Sequence, residues 1–374
     1  MPHTYEDRHD IAVLGGGAIG LAVAWRARQR GLSVVLIDKG DLGRGASHVA
    51  AGMRAPVAEA DPGERALLEL GLRSARAWPA FAAELEDVTG KAVGYRASGT
   101  LVVARDRDEA EALERELALR ERLGLRVERL LPSAARRLEP GLAPTLRAAF
   151  HAPDDHTVDP RRLVAALVLA AARAGVEYRV GQEVTAVLPG EGVEIEGRQR
   201  VAAERVVVCG GAWSGAIPGL PAVPVRPVKG QTLRLRARPG APPLLDRPVR
   251  YEGGYLVPRG DGELIVGATM EEQGFDTALT AGGLYALLRD ASELVPGVLE
   301  LEVTETIAGL RPGTPDNAPL LGERDGVLFA TGHHRNGVLL TPVTAELVAA
   351  HLAGEEELPP AFSPGRFAAT EAAA

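Results

Sequence analysis

Three glycines near the start of the chain, Gly15, Gly17 and Gly20, have the spacing G-x-G-x-x-G. They follow one apolar run, open an apolar helical pattern, and precede a second apolar run that ends in Asp38. In such a unit the glycines allow a tight turn, close approach of a pyrophosphate to the backbone, and close helix packing. The helix N-terminus favours the phosphates, and an acid about 20 residues on accepts from ribose hydroxyls. The pattern predicts a dinucleotide site; a turn serving helix packing alone would leave Asp38 unexplained.

The patterns around this motif predict an α/β fold in which later segments of the chain add strands to the first sheet. A helix over 160–175, with proline at its start and glycine past its end, leads into a strand over 176–180, which indicates a second helix–strand unit. A buried strand over 205–209 and a strand over 327–332, followed by a helix over 341–352, extend the same sheet. The dinucleotide-binding domain is therefore predicted to be discontinuous.

The middle of the chain predicts a second sheet, built from antiparallel strands. Segments 232–238, 254–259 and 263–269 alternate or run apolar between turn residues, as such strands do. Two amphipathic helices and two short strands complete the prediction, at 64–89, 108–123, 183–188 and 192–196.

Length and composition exclude several classes of function. A chain of 374 residues is long enough for two domains. The net charge of −8 and the lack of a basic tract argue against nucleic acid as a partner. Residues 1–10 are polar and do not form a signal peptide, and no run of about 18 apolar residues is present, so we expect no membrane association and a cytoplasmic location. The single cysteine, Cys209, permits no intrachain disulfide.

Two other motifs are weak candidates for chemistry. Ser214 is separated from Gly211 by two residues, so it does not stand in the G-x-S-x-G nucleophile motif of a hydrolase. His333 and His334 are adjacent, point differently in most backbones and have no third ligand nearby in sequence, so no metal site is predicted.

Eight segments together match one protein family in order and spacing, and they cover nearly the whole chain. They lie at 15–20, 50–53, 208–214, 227–231, 255–259, 266–270, 308–314 and 332–337. On these segments the sequence resembles the FAD-dependent D-amino-acid oxidase and sarcosine oxidase family. Within that family it is most similar to the bacterial glycine oxidase branch, which supplies the imine of glycine for making the thiamine thiazole ring.

The resemblance implies a mixed fold, α/β plus α+β, with two domains. A discontinuous Rossmann-type FAD-binding domain would comprise 1–90, 146–216 and 308–374. A substrate-binding domain, with an antiparallel sheet that covers the flavin, would comprise 91–145 and 217–307. The family's flavin-attaching cysteine lies in the C-terminal part of sarcosine oxidases, and this chain has no cysteine after Cys209, so FAD is expected to bind non-covalently. Family members also imply a homo-oligomer, often a tetramer.

The same resemblance assigns a set of residues to the cofactor. Besides Gly15, Gly17 and Gly20, those expected along the FAD are Ala18, Ile19, Asp38, Lys39, Ala46, Ser47, Ala51, Gly52 and Met53. Val184 is expected near the adenine end. Those expected beneath the pyrimidine side of the flavin are His333, His334, Arg335, Asn336, Gly337, Val338 and Leu339.

The chemistry implied is oxidation of a small amino acid to an imine, with O₂ taking the electrons and releasing H₂O₂. The α-hydrogen leaves as hydride while the amine lone pair stabilises the imine, so the protein has to supply orientation rather than a base. Arg311 suits a substrate carboxylate, because a guanidinium grips it through two parallel hydrogen bonds. Tyr255 is expected to donate a third. A structural ion pair for Arg311 and a core position for Tyr255 are the alternatives.

Two further residues match family positions near the substrate. Arg335 is expected near both flavin and substrate; its alternative is a helix-start arginine paired with a surface acid. Met270 resembles a pocket-wall residue, a position where methionine more often packs than reacts. Gly253 and Gly254 stand just before Tyr255, where bulkier side chains would narrow the pocket, so overlapping use of glycine, sarcosine and D-amino acids is expected.

Three other functions remain open at this point. A D-amino-acid dehydrogenase would keep the flavin and pass electrons to a quinone or a carrier protein. A broad D-amino-acid oxidase would share the chemistry but not the preference for glycine. A non-catalytic flavin-binding subunit, or an NAD-binding sensor with the same phosphate turn, would lack the reaction altogether.

Overall fold

The computed structural model describes residues 8–367, so most of the N-terminal segment 1–10 lies outside the described residues. Within that range the α-helices are α1 Ala18–Gln29, α2 Ala46–Val49, α3 Arg65–Thr89, α4 Arg107–Arg122, α5 Pro132–Leu138, α6 Pro160–Arg173, α7 Ala281–Leu294 and α8 Gly337–Leu352. The strands are β1 His9–Leu14, β2 Val34–Asp38, β3 Met53–Arg54, β4 Thr100–Ala104, β5 Glu128–Leu130, β6 Ala148–Ala152, β7 His156–Thr157, β8 Glu177–Val180, β9 Val184–Leu188, β10 Gly192–Ile195, β11 Gln199–Val208, β12 Arg226–Arg236, β13 Val249–Tyr251, β14 Gly254–Pro258, β15 Glu263–Gly267, β16 Glu302–Gly313, β17 Leu320–Arg324 and β18 Val327–Thr331.

The first sheet has the strand order β17-β18-β11-β1-β2-β8. All pairs from β18 to β8 are parallel, and β17 adds an antiparallel edge. The β9–β10 hairpin attaches to the start of β11. Residues 11–14 of β1 and 34–37 of β2 are continuous, buried apolar runs because helices or further chain cover both faces of a parallel sheet. This is the predicted α/β half of the fold.

The second sheet has the order β16-β12-β15-β14-β13-β4-β6-β5 and is antiparallel except at the β13–β4 pair. Its apolar face packs under α7, with Leu233, Leu256 and Leu287 in one buried cluster. The predicted antiparallel strands all occur, within three residues of their predicted ends except that β12 begins six residues earlier, at Arg226.

Two strands do not follow the predicted division of the chain into domains. β6 falls in a stretch placed with the FAD-binding domain, but it pairs with β4 in the second sheet. β16 runs through the boundary at 307 because it pairs with β12 along almost its whole length. Such pairings are long-range, so local sequence patterns do not reveal them.

The closing helix also begins earlier than predicted. The sequence indicated a helix over 341–352, but α8 begins at Gly337, so Pro342 lies inside it. The helix is buried on nearly all sides and contacts α1 and α3. Burial on all faces removes the amphipathic pattern that marks where a surface helix begins.

Candidate active site

A cavity of about 980 Å³ lies between the two sheets. Its walls come from the glycine turn after β1, the loop between β2 and β3, the end of β11, the β13–β14 hairpin, and the turn before α8. Parallel strands end at one edge of a sheet, so the loops that follow them meet there and form a binding crevice.

Packing requires glycine at two positions of the turn. Gly15 has φ +109°, and a Cβ there would lie 2.5 Å from the carbonyl oxygen of Cys209. A Cβ at Gly20 would lie 2.0 Å from the carbonyl oxygen of Gly15. The first glycine therefore permits the turn, and the second lets α1 approach the chain just after β1.

Side chains from neighbouring loops hold this turn in place. The Asp38 carboxylate accepts from the amide of Gly16 at 2.7 Å and from the amide of Gly40 at 2.8 Å. Ser47 accepts from the amide of Ala18 through its Oγ at 3.1 Å. A carboxylate has about four acceptor positions, so Asp38 can still accept from hydroxyl groups that face the cavity.

These residues fit a dinucleotide. The N-terminus of α1 has no side-chain cap at Gly17, and it opens onto the cavity with its amides and positive dipole end. His334 also lines the cavity, and its buried Nδ1 has no hydrogen-bond partner among the described residues. Burial and the nearby arginines lower the pKa of His334 to about 4, so the ring stays neutral at physiological pH.

Arg311 and Tyr255 line the cavity together with this cofactor-side wall. The guanidinium of Arg311 lies over Gly230, where a Cβ would sit 2.4 Å from Nη1. Its Nη1 donates to the carbonyl oxygens of Thr269 at 3.1 Å and Lys229 at 3.4 Å. No carboxylate of residues 8–367 pairs with it, so its charge is free to bind an acid group.

Comparison with known proteins agrees with this geometry. A family model described as FAD dependent oxidoreductase (DAO) matches residues 10–351. The chain belongs to this family. The oxidoreductase is 38% identical to glycine oxidase of Geobacillus kaustophilus, over 91% of this chain and 92% of that protein. It is 35% identical to a Rhizobium etli protein named as a thiamine biosynthesis oxidoreductase, ThiO, over 93% and 98% of the two chains.

A solved structure supports the same assignment. The crystal structure of glycine oxidase from Geobacillus kaustophilus matches with a TM-score of 0.89 and 37% identity, and it covers 96% of this chain and 99% of that chain. The mixed fold, the FAD cofactor and the class of enzyme expected from the sequence are confirmed: the oxidoreductase is an FAD-dependent amino acid oxidase.

Most residues expected at the site of the oxidoreductase do line the cavity. They are Gly15, Gly17, Ala18, Ile19, Asp38, Lys39, Ala46, Ser47, Ala51, Gly52, Met53, Val184, Tyr255, Met270, Arg311, His333, His334, Arg335, Asn336, Gly337 and Val338. Gly20 and Leu339 do not. Gly20 serves the packing of α1, and the carbonyl of Leu339 instead accepts from Ser74 Oγ at 2.6 Å and Trp78 Nε1 at 2.8 Å.

Arg335 has acidic partners within the chain. Its Nε lies 3.1 Å from Glu59 and its Nη2 lies 3.3 Å from Glu64. Arg335 thus lines the cavity, as the resemblance implied, and it also forms ion pairs with acids, as the alternative interpretation stated. The two acids compensate the charge of Arg335, whereas no acid within residues 8–367 pairs with Arg311.

Three other predicted residues differ in their surroundings. Met270 lines the cavity but is 64% exposed, so it stands at the rim. Burial lowers the pKa of His333 to about 3, and its Nε2 lies 3.0 Å from Thr344 Oγ1 in the interior. Burial raises the pKa of Tyr255, against the opposing effect of Arg311, so the hydroxyl is protonated and can donate at neutral pH.

Five charged residues of the cavity wall were not predicted: Asp41, Arg44, Glu59, Glu183 and Arg250. Glu59 follows a pair of amides, those of Val57 and Ala58, which donate to Asp155. No local motif marks that long-range contact. Arg250 had a signal in the sequence, because it lies directly opposite Tyr255 across the hairpin whose turn contains Gly253.

Two further findings concern membrane-spanning helices and metal-binding clusters. None of the helices within residues 8–367 combines the length and the apolar character that crossing a membrane requires. The described residues contain no group of three or more His, Cys, Asp or Glu side chains arranged to hold a metal ion.

Proposed function

We propose that this enzyme oxidises glycine and related small amines, including sarcosine and small D-amino acids, with O₂ as the electron acceptor. The observation that carries the proposal is the guanidinium of Arg311, which faces the cavity of the glycine turn and has no carboxylate partner among the described residues. A half-buried cationic fork without a counter-ion suits a substrate carboxylate. The similarity to glycine oxidases, at 38% identity for one of them, supports the small size of the substrate.

Arg311 and Tyr255 orient the substrate in this proposal. The guanidinium binds the carboxylate through two hydrogen bonds, and the protonated hydroxyl of Tyr255 donates another. Fixing the carboxylate places the α-carbon, and positioning of this kind is worth roughly 7–11 kcal/mol in favourable cases. No base at the α-carbon is needed when the amine enters neutral. Bound FAD supplies the hydride acceptor and passes the two electrons to O₂.

The net reaction balances without further reagents. The α C–H bond breaks, a C=N bond forms, and water hydrolyses the imine. Glycine, O₂ and water thus give glyoxylate, ammonia and H₂O₂. The resemblance to the bacterial glycine oxidase branch supports use of the imine in thiamine thiazole synthesis.

We extend the proposal to the roles of the cavity residues and to the whole chain. The residues around Gly15, Asp38 and Ser47 would hold FAD without a covalent bond, since no cysteine follows Cys209 in the part of the chain where the resemblance places the flavin attachment of sarcosine oxidases. The domain boundaries would follow the two sheets. A homo-oligomer, a tetramer by resemblance, and a cytoplasmic location complete the proposal.

Oxygen consumption tests this function. With glycine, the enzyme should consume one O₂ for each glyoxylate formed, and catalase should return half of that oxygen from H₂O₂. Reduction of a dye by glycine without O₂ uptake would instead identify a dehydrogenase. A protein that contains FAD but reacts with none of glycine, sarcosine and D-alanine would contradict the proposal.

A further inference from the structure

A second arginine, Arg250, lines the same cavity as Arg311. It is the middle residue of β13, and its neighbours Val249 and Tyr251 point into the apolar core of the second sheet. Successive side chains of a strand alternate between faces, so Arg250 points to the opposite face, toward the cavity. Its register partner is Tyr255. Directly opposed residues share a face with Cβ atoms about 4.5–5.5 Å apart, so Arg250 is a neighbour of the tyrosine at the substrate end.

The charge of Arg250 is poorly compensated. Its one ionic partner in residues 8–367 is Glu116, at 3.6 Å, and no described residue accepts a hydrogen bond from its guanidinium. The same carboxylate lies closer to Arg120, at 3.2 Å, whose side chain is 1% exposed. One carboxylate shared by two guanidinium groups leaves positive charge at the cavity wall.

The hairpin beside Arg250 leaves open space next to this charge. Gly253 lines the cavity at φ +87°, and a Cβ there would meet nothing within 4 Å. A Cβ at Gly254 would lie 2.5 Å from the hydroxyl of Tyr251, so that position favours glycine. Glu252, the other residue of the hairpin tip, is exposed and does not line the cavity, so the space that Gly253 leaves open beside Arg250 and Tyr255 stays unfilled by the tip.

We propose that Arg250 forms a subsite for a second acid group, so that the enzyme accepts amino acids carrying a distal carboxylate. This rests on the proposed function, in which Arg311 binds the α-carboxylate. Iminodiacetate is the smallest such compound with the acid on the nitrogen, and D-aspartate has it on the α-carbon. The bonds broken and formed are those of glycine oxidation: O₂ is reduced to H₂O₂, and iminodiacetate and water give glyoxylate and glycine.

Arg250 acts on specificity and does not touch the reacting atoms. The test therefore compares substrates of similar shape with and without the distal acid: iminodiacetate against N-ethylglycine, and D-aspartate against D-2-aminobutyrate. Initial rates give the ratio of kcat/KM within each pair. The ratio is kcat/KM for the substrate with the distal acid divided by kcat/KM for the substrate without it. Arg250→Gln should lower this ratio at least tenfold for the pair whose distal acid reaches the subsite. Arg250→Lys should recover part of the lost ratio.

A matched control separates the subsite from general charge. Arg238 is exposed and lies outside the cavity wall, so Arg238→Gln makes the same charge change elsewhere and should leave both ratios as they are. Ratios that Arg250→Gln leaves unchanged for both pairs would overturn the subsite. Failure of the proposed function looks different, because then the wild-type enzyme would not oxidise even N-ethylglycine, sarcosine or glycine.

Inhibition of the wild-type enzyme provides a test that needs no variant. Succinate and butyrate have the same chain length and differ in one acid group. The subsite predicts that succinate competes with glycine at an inhibition constant at least tenfold lower than that of butyrate. Equal constants would contradict it.

Discussion

Arg311 owes its availability to its neighbours in the sheet. Gly230 leaves room for the guanidinium, and two carbonyl oxygens orient it without cancelling its charge. The sequence alone identified Arg311 as a guanidinium near the end of a strand. The sequence did not show that Arg311 lacks a counter-ion, because this depends on where acids from distant segments lie. Two of these acids, Glu59 and Glu64, pair with Arg335 instead.

Substitution of Arg311 by lysine tests its role as the carboxylate clamp. Lysine keeps the charge but loses the planar fork, and a hydrogen bond to a charged group is worth about 1.5–3 kcal/mol. We expect KM for glycine to rise roughly tenfold to a hundredfold, with FAD still bound. Steady-state kinetics and the visible flavin spectrum measure the two effects. Arg238→Lys is the matched control, and glycine kinetics unchanged in Arg311→Lys would refute the clamp.

Asp38 carries the second prediction at this scale. Asp38→Ala removes the acceptor of two loop amides and of any ribose hydroxyl. A buried donor left unpaired costs about 1–3 kcal/mol. The dissociation constant for FAD should therefore rise about tenfold or more. Reconstitution of apoprotein with FAD measures the dissociation constant. Asp61 accepts from the amide of Gly63 in a similar turn outside the cavity, so Asp61→Ala is the control. Equal FAD affinity in both variants would count against the assignment.

At the scale of elements, the junction of β1 with α1 shows why a short motif predicted so much. The requirement for glycine is local at residue 15 through its φ of +109°, and at residue 20 through the carbonyl oxygen of Gly15 five residues earlier. The extent of α8 and the pairing of β6 depend instead on contacts with remote segments. Local patterns therefore predicted the first βαβ unit better than the boundaries of the elements that cover it.

Gly20→Ala tests the close packing of α1. The added Cβ would lie 2.0 Å from the Gly15 carbonyl oxygen, so the helix or the turn has to move. We expect a lower Tm and weaker FAD retention. Gly282, near the start of α7, would meet nothing within 4 Å, and Gly282→Ala should be neutral or stabilise by about 0.5–1 kcal/mol. The packing argument fails if the two variants melt alike.

Asp155 gives the segment after β3 a dependence on pH. It is fully buried, accepts from the amides of Val57 at 3.0 Å and Ala58 at 2.6 Å, and burial raises its pKa from 3.8 to about 7. Between these values the folded protein holds a proton that the unfolded chain releases. Its contribution to stability is therefore full below about pH 4 and is lost as the pH rises to about 7.

Chemical unfolding of wild type and Asp155→Asn, followed from pH 4.5 to 8, measures this contribution. The free energy of unfolding of wild type, taken relative to the variant, should decrease up to about pH 7 and then level off. Asparagine does not titrate, so groups common to both proteins cancel. A difference that increases with pH would show that the carboxylate is stabilised by the two amides more than it is penalised by burial.

At the scale of the molecule, the cavity depends on how the two sheets meet. Arg161, at the start of α6, donates to the carbonyl oxygen of His48 in α2 at 3.0 Å and pairs with Glu305 of β16 at 2.7 Å. Through Arg161, helix α2, which contributes Ser47 to the glycine turn, is linked to the second sheet. Motif order along the chain predicted that two sheets would enclose a cofactor, but not these contacts, which join residues more than 100 positions apart.

The central claim is that a small amino acid held by Arg311 reduces FAD in this cavity, and anaerobic mixing with glycine tests it most directly. The visible flavin band should bleach on addition of glycine and return, with release of H₂O₂, when air is admitted. Sarcosine and D-alanine serve as comparison substrates. A flavin band that persists with all three would contradict the account, because the cofactor would then be bound without the substrate chemistry that the site is proposed to perform.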